Sequence, residues 1–254
     1  MPDDLAALGP FFAVGSHMPG ETPVPPWRPV RELTAPSPTL RGRIDAVRAA
    51  LAARGGLTVD DIEPRVAASA GHLGLVARLT APALGAAVLR RPVDLRPGGL
   101  WWQDRSGGPV PLSVPTAPEA GVSQEEGDQL LFGELLAPLT AAVARLVPVS
   151  DRVLWGNVAS AVNAAAAQAA RQRPDLAPDA WQAARRLFAG PWLRGEPCPP
   201  GPAFRRASCC LYYRLAPGNP SAVCGDCVLA GRRRFRWFRT DELSFFCLCR
   251  SGST

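Results

Sequence analysis

At 254 residues and 47% hydrophobic, the chain is long enough to bury one sizeable core, alone or with a small appendage. All 28 basic residues are Arg, and against 22 acidic residues they leave a net charge of +6; with no Lys, the lysine of a phosphate-binding P-loop is excluded. Even FGELLAPLTAAVARLV carries Glu134 and Arg145, and without eighteen uninterrupted apolar residues no transmembrane segment is expected. In chain order, residues 1–38 are proline-rich and aperiodic and predict a leader of loop or polyproline II character. Thr39 is a plausible N-cap for a helix in which Leu40, Ile44, Val47 and Leu51 recur at spacings of four, three and four, ending at Gly55–Gly56. Pro64 opens a second helix through about Leu79, and Pro82 predicts a break before the apolar segment 83–89. Two short apolar runs around Ser106-Gly107-Gly108 predict a β-hairpin between Gly98 and Val114, the one clear strand signal. Residues 115–127 read as loop. Helical periodicity returns from Asp128 to Val147 with a kink at Pro138. Ser150 caps a long helix to about Gln172, and Pro178 starts a last one that Gly190-Pro191 stops.

After Pro191 the texture changes to Pro, Gly, Cys and Arg without periodicity, which suits a small module folded around a metal. All seven cysteines (198, 209, 210, 224, 227, 247 and 249) lie in this last quarter. Cys209 and Cys210 are adjacent, and Cys224 and Cys227 form Cys-x-x-Cys; four thiolates suit a [2Fe-2S] cluster or a structural Zn²⁺. Adjacent residues of a strand point to opposite faces, so ligation by both Cys209 and Cys210 requires a turned backbone. Zinc sites usually use two separated Cys-x₂₋₄-Cys knuckles, whereas this chain has one. The N-terminal MPDDLAALGPFFAVG is acidic where a signal peptide is basic, so a reducing, cytoplasmic location is expected and structural disulfides are not.

Few other residues suggest chemistry. The only histidines are His17 and His72, too few for a His-rich metal site, and His72 is expected as a structural residue facing the helical interior. No Gly-x-Ser-x-Gly or Gly-x-Gly-x-x-Gly sequence occurs, which argues against a hydrolase and against a bound dinucleotide. Trp101, Trp102 and Trp155 are aromatics able to stack on a planar ligand, but a pair on a hairpin more often packs into a core. Arg232, Arg233, Arg234, Arg236 and Arg239, interleaved with Phe235, Trp237 and Phe238, form a basic tail: a solvated run, or a docking patch for an acidic electron donor. Nucleic acid is not the expected partner, because the remaining arginines are scattered.

The stretch RRASCCLYYRLAPGNPSAVCGDCVLAG, with its vicinal Cys pair, LYYR and CGDC, resembles the FhuF-type ferric siderophore reductases. Segments 71–89 and 152–166 look similar to that family's helical body, and the resemblance extends over roughly residues 40–230. The family spacing is Cys-Cys-x₁₀-Cys-x₂-Cys; here thirteen residues separate Cys210 from Cys224, the extra length falling in the turn-rich LAPGNPSAV. The periodicity and turn signals give a mainly α protein with a helical body (39–191) that includes one β-hairpin, and the resemblance agrees with a helical body. A C-terminal iron-sulfur module (192–231) would follow, and the basic tail (232–254) goes beyond what the resemblance covers. The resemblance implies a [2Fe-2S] cluster held by Cys209, Cys210, Cys224 and Cys227. The substrate would be a ferric siderophore, hydroxamate by preference, and an external donor such as ferredoxin or a flavin reductase would supply the electron. Cys198, Cys247 and Cys249 receive no role. The alternative is a non-catalytic, zinc-stabilised binding protein with an Arg-rich interaction tail.

Overall fold

The computed structural model describes residues 2–91, 93–116, 123–216 and 223–229, and it has the mainly α architecture that the periodicity predicts. Helix α1 is Pro2–Ala6 and α2 is Pro38–Gly55. Ser37, not Thr39, caps α2, its Oγ accepting from the Leu40 N–H at 3.0 Å. The following proline holds Ser37 in the extended conformation an N-cap needs, while Thr39 lies within the first turn and donates to Glu32. Gly56 closes the helix in the left-handed region at φ 62°.

Helix α3, Pro64–Leu89, runs through Pro82 without the expected break. A mid-helix proline costs about 3 kcal/mol in isolation, but Leu79, Ala81, Pro82 and Leu84 are all buried. The preceding turn is also clamped from outside: Arg78 donates to the carbonyls of Val110 (2.7 Å), Phe11 (2.6 Å) and Ala13. Burial lowers its pKa to about 10.

That clamp also explains why residues 1–38 do not form a detached leader. Leu5, Leu8, Phe12, Val14, Val30 and Leu33 join the same hydrophobic core as the helices. The leader also supplies two short strands, β1 (Gly15–His17) and β2 (Arg28–Pro29). They flank the expected hairpin, β3 (Trp101–Trp102) and β4 (Leu112–Pro115), in the order β1-β4-β3-β2. The hairpin pairs Trp101 with Ser113 and Trp102 with Leu112. Both tryptophans are buried, Trp101 stacking on His17 with centroids 3.5 Å apart. Two- and three-residue strands containing Gly and Pro carry no alternation to read; the hairpin edges, not local propensity, decide them.

Ser123 caps α4, Gln124–Gln129, so this helix begins before Asp128. It passes into a π-helical stretch, Leu130–Leu136, and then α5, Ala137–Leu146. In an α-helix the Pro138 ring would clash with the Glu134 carbonyl; the wider π turn just upstream is the form the expected kink takes. Helix α6 (Asp151–Gln172) is capped by Ser150 and α7 (Ala177–Ala189) ends at Gly190, as read. Helix α6 lies against both α3 and α7, and α2 packs on α3. Helix α3 and the Gln124–Leu146 segment are long and apolar enough to cross a membrane by length and composition, yet they pack on one another and α5 on α6. After Gly190 the only longer regular element among the described residues is a 3₁₀ turn, Tyr212–Leu215. The arginine-rich tail, Cys247 and Cys249 lie outside the described residues.

Gly85 tests the packing of the N-terminal segment. A Cβ there would stand 2.7 Å from Phe12 Cδ1 and 2.8 Å from Leu5 Cδ2. Gly85→Ala should therefore destabilise by about 1–2 kcal/mol through overpacking, read as a lower melting temperature. Were the segment detached, the same change would stabilise the helix by about 1 kcal/mol.

Candidate metal centre

The irregular segment after Gly190 is hydrogen-bonded to α6 and turns sharply at the vicinal cysteines. Leu211 adopts φ 69°, a left-handed conformation rare outside glycine, and its N–H reaches back to Cys209 Sγ at 3.3 Å. This is the turned backbone that the Cys209–Cys210 pair requires. The same i+2 contact recurs at the second pair, where the Leu229 N–H lies 3.3 Å from Cys227 Sγ. The four sulfurs form a ring in the order 209, 210, 224, 227, each touching two others, with Cys210 and Cys224 at 3.4 Å. All four are free thiols. Cys198 stands apart, its sulfur near the Arg205 N–H and the Pro199 and Ala203 carbonyls.

Mutual S–H contacts split the ring electrostatically. Cys210 and Cys227 are pushed down, each chiefly by hydrogen bonds from Cys209 and Cys224, while the latter two are pushed up by the same contacts. No group of three His, Cys, Asp or Glu among the described residues is spaced to hold one ion as it stands. The thiols are instead in direct contact, slightly closer than the ~3.8 Å expected between two sulfurs bound tetrahedrally at ~2.3 Å. Four soft donors, of which Cys209, Cys210 and Cys227 already accept backbone N–H groups that stabilise thiolate charge, fit an iron-sulfur cluster.

One face of α6 fixes this ring. Gly201 N–H donates to Asn163 Oδ1 (2.8 Å) and Ser208 Oγ to the Arg152 carbonyl (2.7 Å). Ser160 Oγ donates to the Asp226 carboxylate, and Arg206 Nη2 to Asn157 Oδ1. Residues 152, 156, 160 and 163 recur at helical spacing on one stripe. Gly156 lets the chain approach: a Cβ there would stand 2.6 Å from Ser208 Oγ. From α3, Ser69 Oγ donates to the Cys210 carbonyl at 2.9 Å, and Asn157 Nδ2 donates to the Ser69 carbonyl at 3.0 Å. His72, wholly buried, contacts Asn157 Nδ2 (3.4 Å) and Thr140 Oγ1 (3.0 Å). Burial first, and the Arg206 charge second, lower its pKa to about 3, so it is a neutral structural histidine as expected. Arg214 of the LYYR turn pairs with Glu63 at the start of α3, 2.6 Å away.

Residues 206–229 match the FhuF 2Fe-2S C-terminal domain. The FhuF-type match contains all four ring cysteines, and it assigns a [2Fe-2S] cluster as the cofactor; the ring thiols are the residues that would hold it. Segments 71–89 and 152–166 lie outside the match. No curated protein and no solved structure matches the chain.

The α6 stripe and Arg206 are absent from the residues singled out in the sequence. Gly156, Asn157, Ser160 and Asn163 are small or polar residues at helical spacing in an otherwise alanine-rich helix, and that is the signal for a docking face.

Replacing any one of Cys209, Cys210, Cys224 or Cys227 by Ser should lower iron and sulfide content severalfold, with Cys198→Ser unchanged, by elemental analysis and visible absorbance. Gly156→Ala should likewise reduce cluster content by pushing Ser208 away. The melting temperature of its helical body should hold or rise, because Ala is favoured by about 1 kcal/mol within a helix.

Proposed function

We propose that the protein is a cytoplasmic ferric siderophore reductase that releases iron by one-electron reduction. The observation that carries this reading is the four-thiol ring within a FhuF-type 2Fe-2S domain, docked against a helical body beside an open cavity. When bound, the cluster supplies single-electron transfer at low potential, as four thiolates without histidine ligands favour. The substrate chemistry suits one electron: Fe³⁺ is held tightly by hard oxygen donors such as hydroxamates, and Fe²⁺ far more weakly.

The chain's own residues shape where such a complex would approach. A cavity of about 310 Å³ lies between the start of α6 and residues 192–197, lined by Arg152, Trp155, Trp192, Glu196 and Ala207 among others. Ala207 is two residues from Cys209, which places their Cα atoms within about 7 Å. Trp155 and Trp192 stack with centroids 5.7 Å apart and form an apolar wall, while Arg152 offers a cation to anionic oxygen donors. Glu196 is half-buried and its carboxyl is pushed up, principally by burial. It holds a proton more readily than a surface glutamate, and a chelator oxygen that has lost its iron needs one. The size suits one arm of a chelate. Hydroxamate complexes are the favoured substrate class, and a ferredoxin or a flavin reductase the favoured electron donor, since no dinucleotide-binding glycine pattern is present.

Anaerobic protein reduced with dithionite should be reoxidised by ferric hydroxamate in a single turnover, one ferric complex consumed per cluster, followed by visible absorbance. NADPH alone should leave the oxidised spectrum unchanged. A colourless protein with stoichiometric zinc would sink the reading in favour of a zinc-stabilised binding protein.

A further inference from the structure

Arg206 is 1% exposed and lies three residues before Cys209. Its backbone N–H donates to the Asp226 carbonyl at 2.9 Å, tying the first cysteine pair to the second. Its side chain is far less satisfied: Nη2 donates to Asn157, but Nε and Nη1 are buried and have no hydrogen-bond partner among the described residues. Arg78, the other buried arginine among the described residues, has all three of its nitrogens on backbone carbonyls. No carboxylate among the described residues forms an ion pair with Arg206. Glu196 is the carboxylate whose charge it influences, and that group is itself resisted by burial. His72, which also feels this charge, is neutral. A permanently charged guanidinium buried with two free N–H groups is costly unless a counter-charge compensates it. The Arg206 guanidinium is tied to the ring by a short chain of hydrogen bonds: Asn157, which accepts from Nη2, donates to the Ser69 carbonyl at 3.0 Å, and Ser69 Oγ donates to the Cys210 carbonyl at 2.9 Å.

A [2Fe-2S] cluster held by four thiolates is anionic when oxidised and gains one more negative charge on reduction. We propose that Arg206 is the buried counter-charge of this cluster, a positioning residue that raises its reduction potential and is itself held in place by Asn157. The inference rests on the cluster, not on the identity of its substrate. The redox step is one electron passing from a one-electron donor onto one iron; no bond to the chain forms or breaks.

The test is an anaerobic redox titration of the purified, cluster-loaded full chain, followed by absorbance and by the paramagnetic signal of the reduced state. No siderophore is present, so failure of the reductase reading leaves the result standing. In Arg206→Gln the reduced-to-oxidised ratio at a fixed ambient potential should fall about tenfold, equivalent to about 59 mV for a one-electron couple. In Arg206→Lys, which keeps the charge, it should stay within about threefold of the unaltered protein. The shift should persist in high salt, because buried charges are poorly screened. An Arg206→Gln protein that is loaded and titrates at the original potential overturns the proposal. If Arg206→Gln fails to load, Asn157→Asp, which places a carboxylate on an intact Arg206, should show the same downward shift, and an unchanged ratio there overturns it. If neither loads, a loaded Arg206→Lys supports a charge requirement, whereas loss of the cluster in that variant too assigns Arg206 to folding alone and overturns the counter-charge role.

Discussion

The cysteine ring depends on how closely its chain approaches one stripe of α6, and that approach exists because residue 156 has no side chain. With the backbone of 206–208 against the helix, Asn157, Ser160 and Asn163 reach Arg206, Asp226 and the Gly201 amide. The two cysteine pairs, thirteen residues apart in the chain, are thus hung from the same helix face.

Among the described residues, the segment after Gly190 has little core of its own: Leu193, Phe204, Cys210 and Cys227 are the buried apolar groups there, and Phe204 packs edge-on against Phe188 of α7. What holds it is a set of side chain to backbone hydrogen bonds, each contributing about 1 kcal/mol net, together with the free energy of metal ligation. The helical body, with its continuous core over α2, α3, α5, α6 and α7, needs neither. Stability is therefore divided: the body is set by apolar burial, and the cysteine segment by docking and ligation.

This division explains what was legible in the sequence. Helices with periodic apolar faces and clear stops, such as the one Ser150 opens and the one Gly190 closes, were readable because local signals and tertiary packing agree. Pro82 and Pro138 were harder, since their cost is fixed locally but offset by burial or by a π turn that only the assembled core determines. The strands of residues 15–17 and 28–29 exist because the hairpin offers them edges. At the site, four thiols announce themselves by chemistry, whereas the partners that place them are an ordinary glycine, a serine and two asparagines whose meaning comes from the opposing chain.

Arg78 and Arg206 show how the same side chain takes two roles inside one protein. Three carbonyls surround Arg78, so its charge is dispersed over oxygens that also close the N-terminal segment onto α3; it is a fastener. Arg206 has one amide oxygen and, among the described residues, no partner for its Nε and Nη1, and it lies three residues before the ring's first cysteine. A buried cation in that setting is an energetic liability in the empty protein and an asset in the loaded one. As the counter-charge proposed above, Arg206 would favour both the binding of an anionic cluster and the arrival of a further electron, so that folding of the segment, cofactor retention and redox potential would be coupled through a single charge.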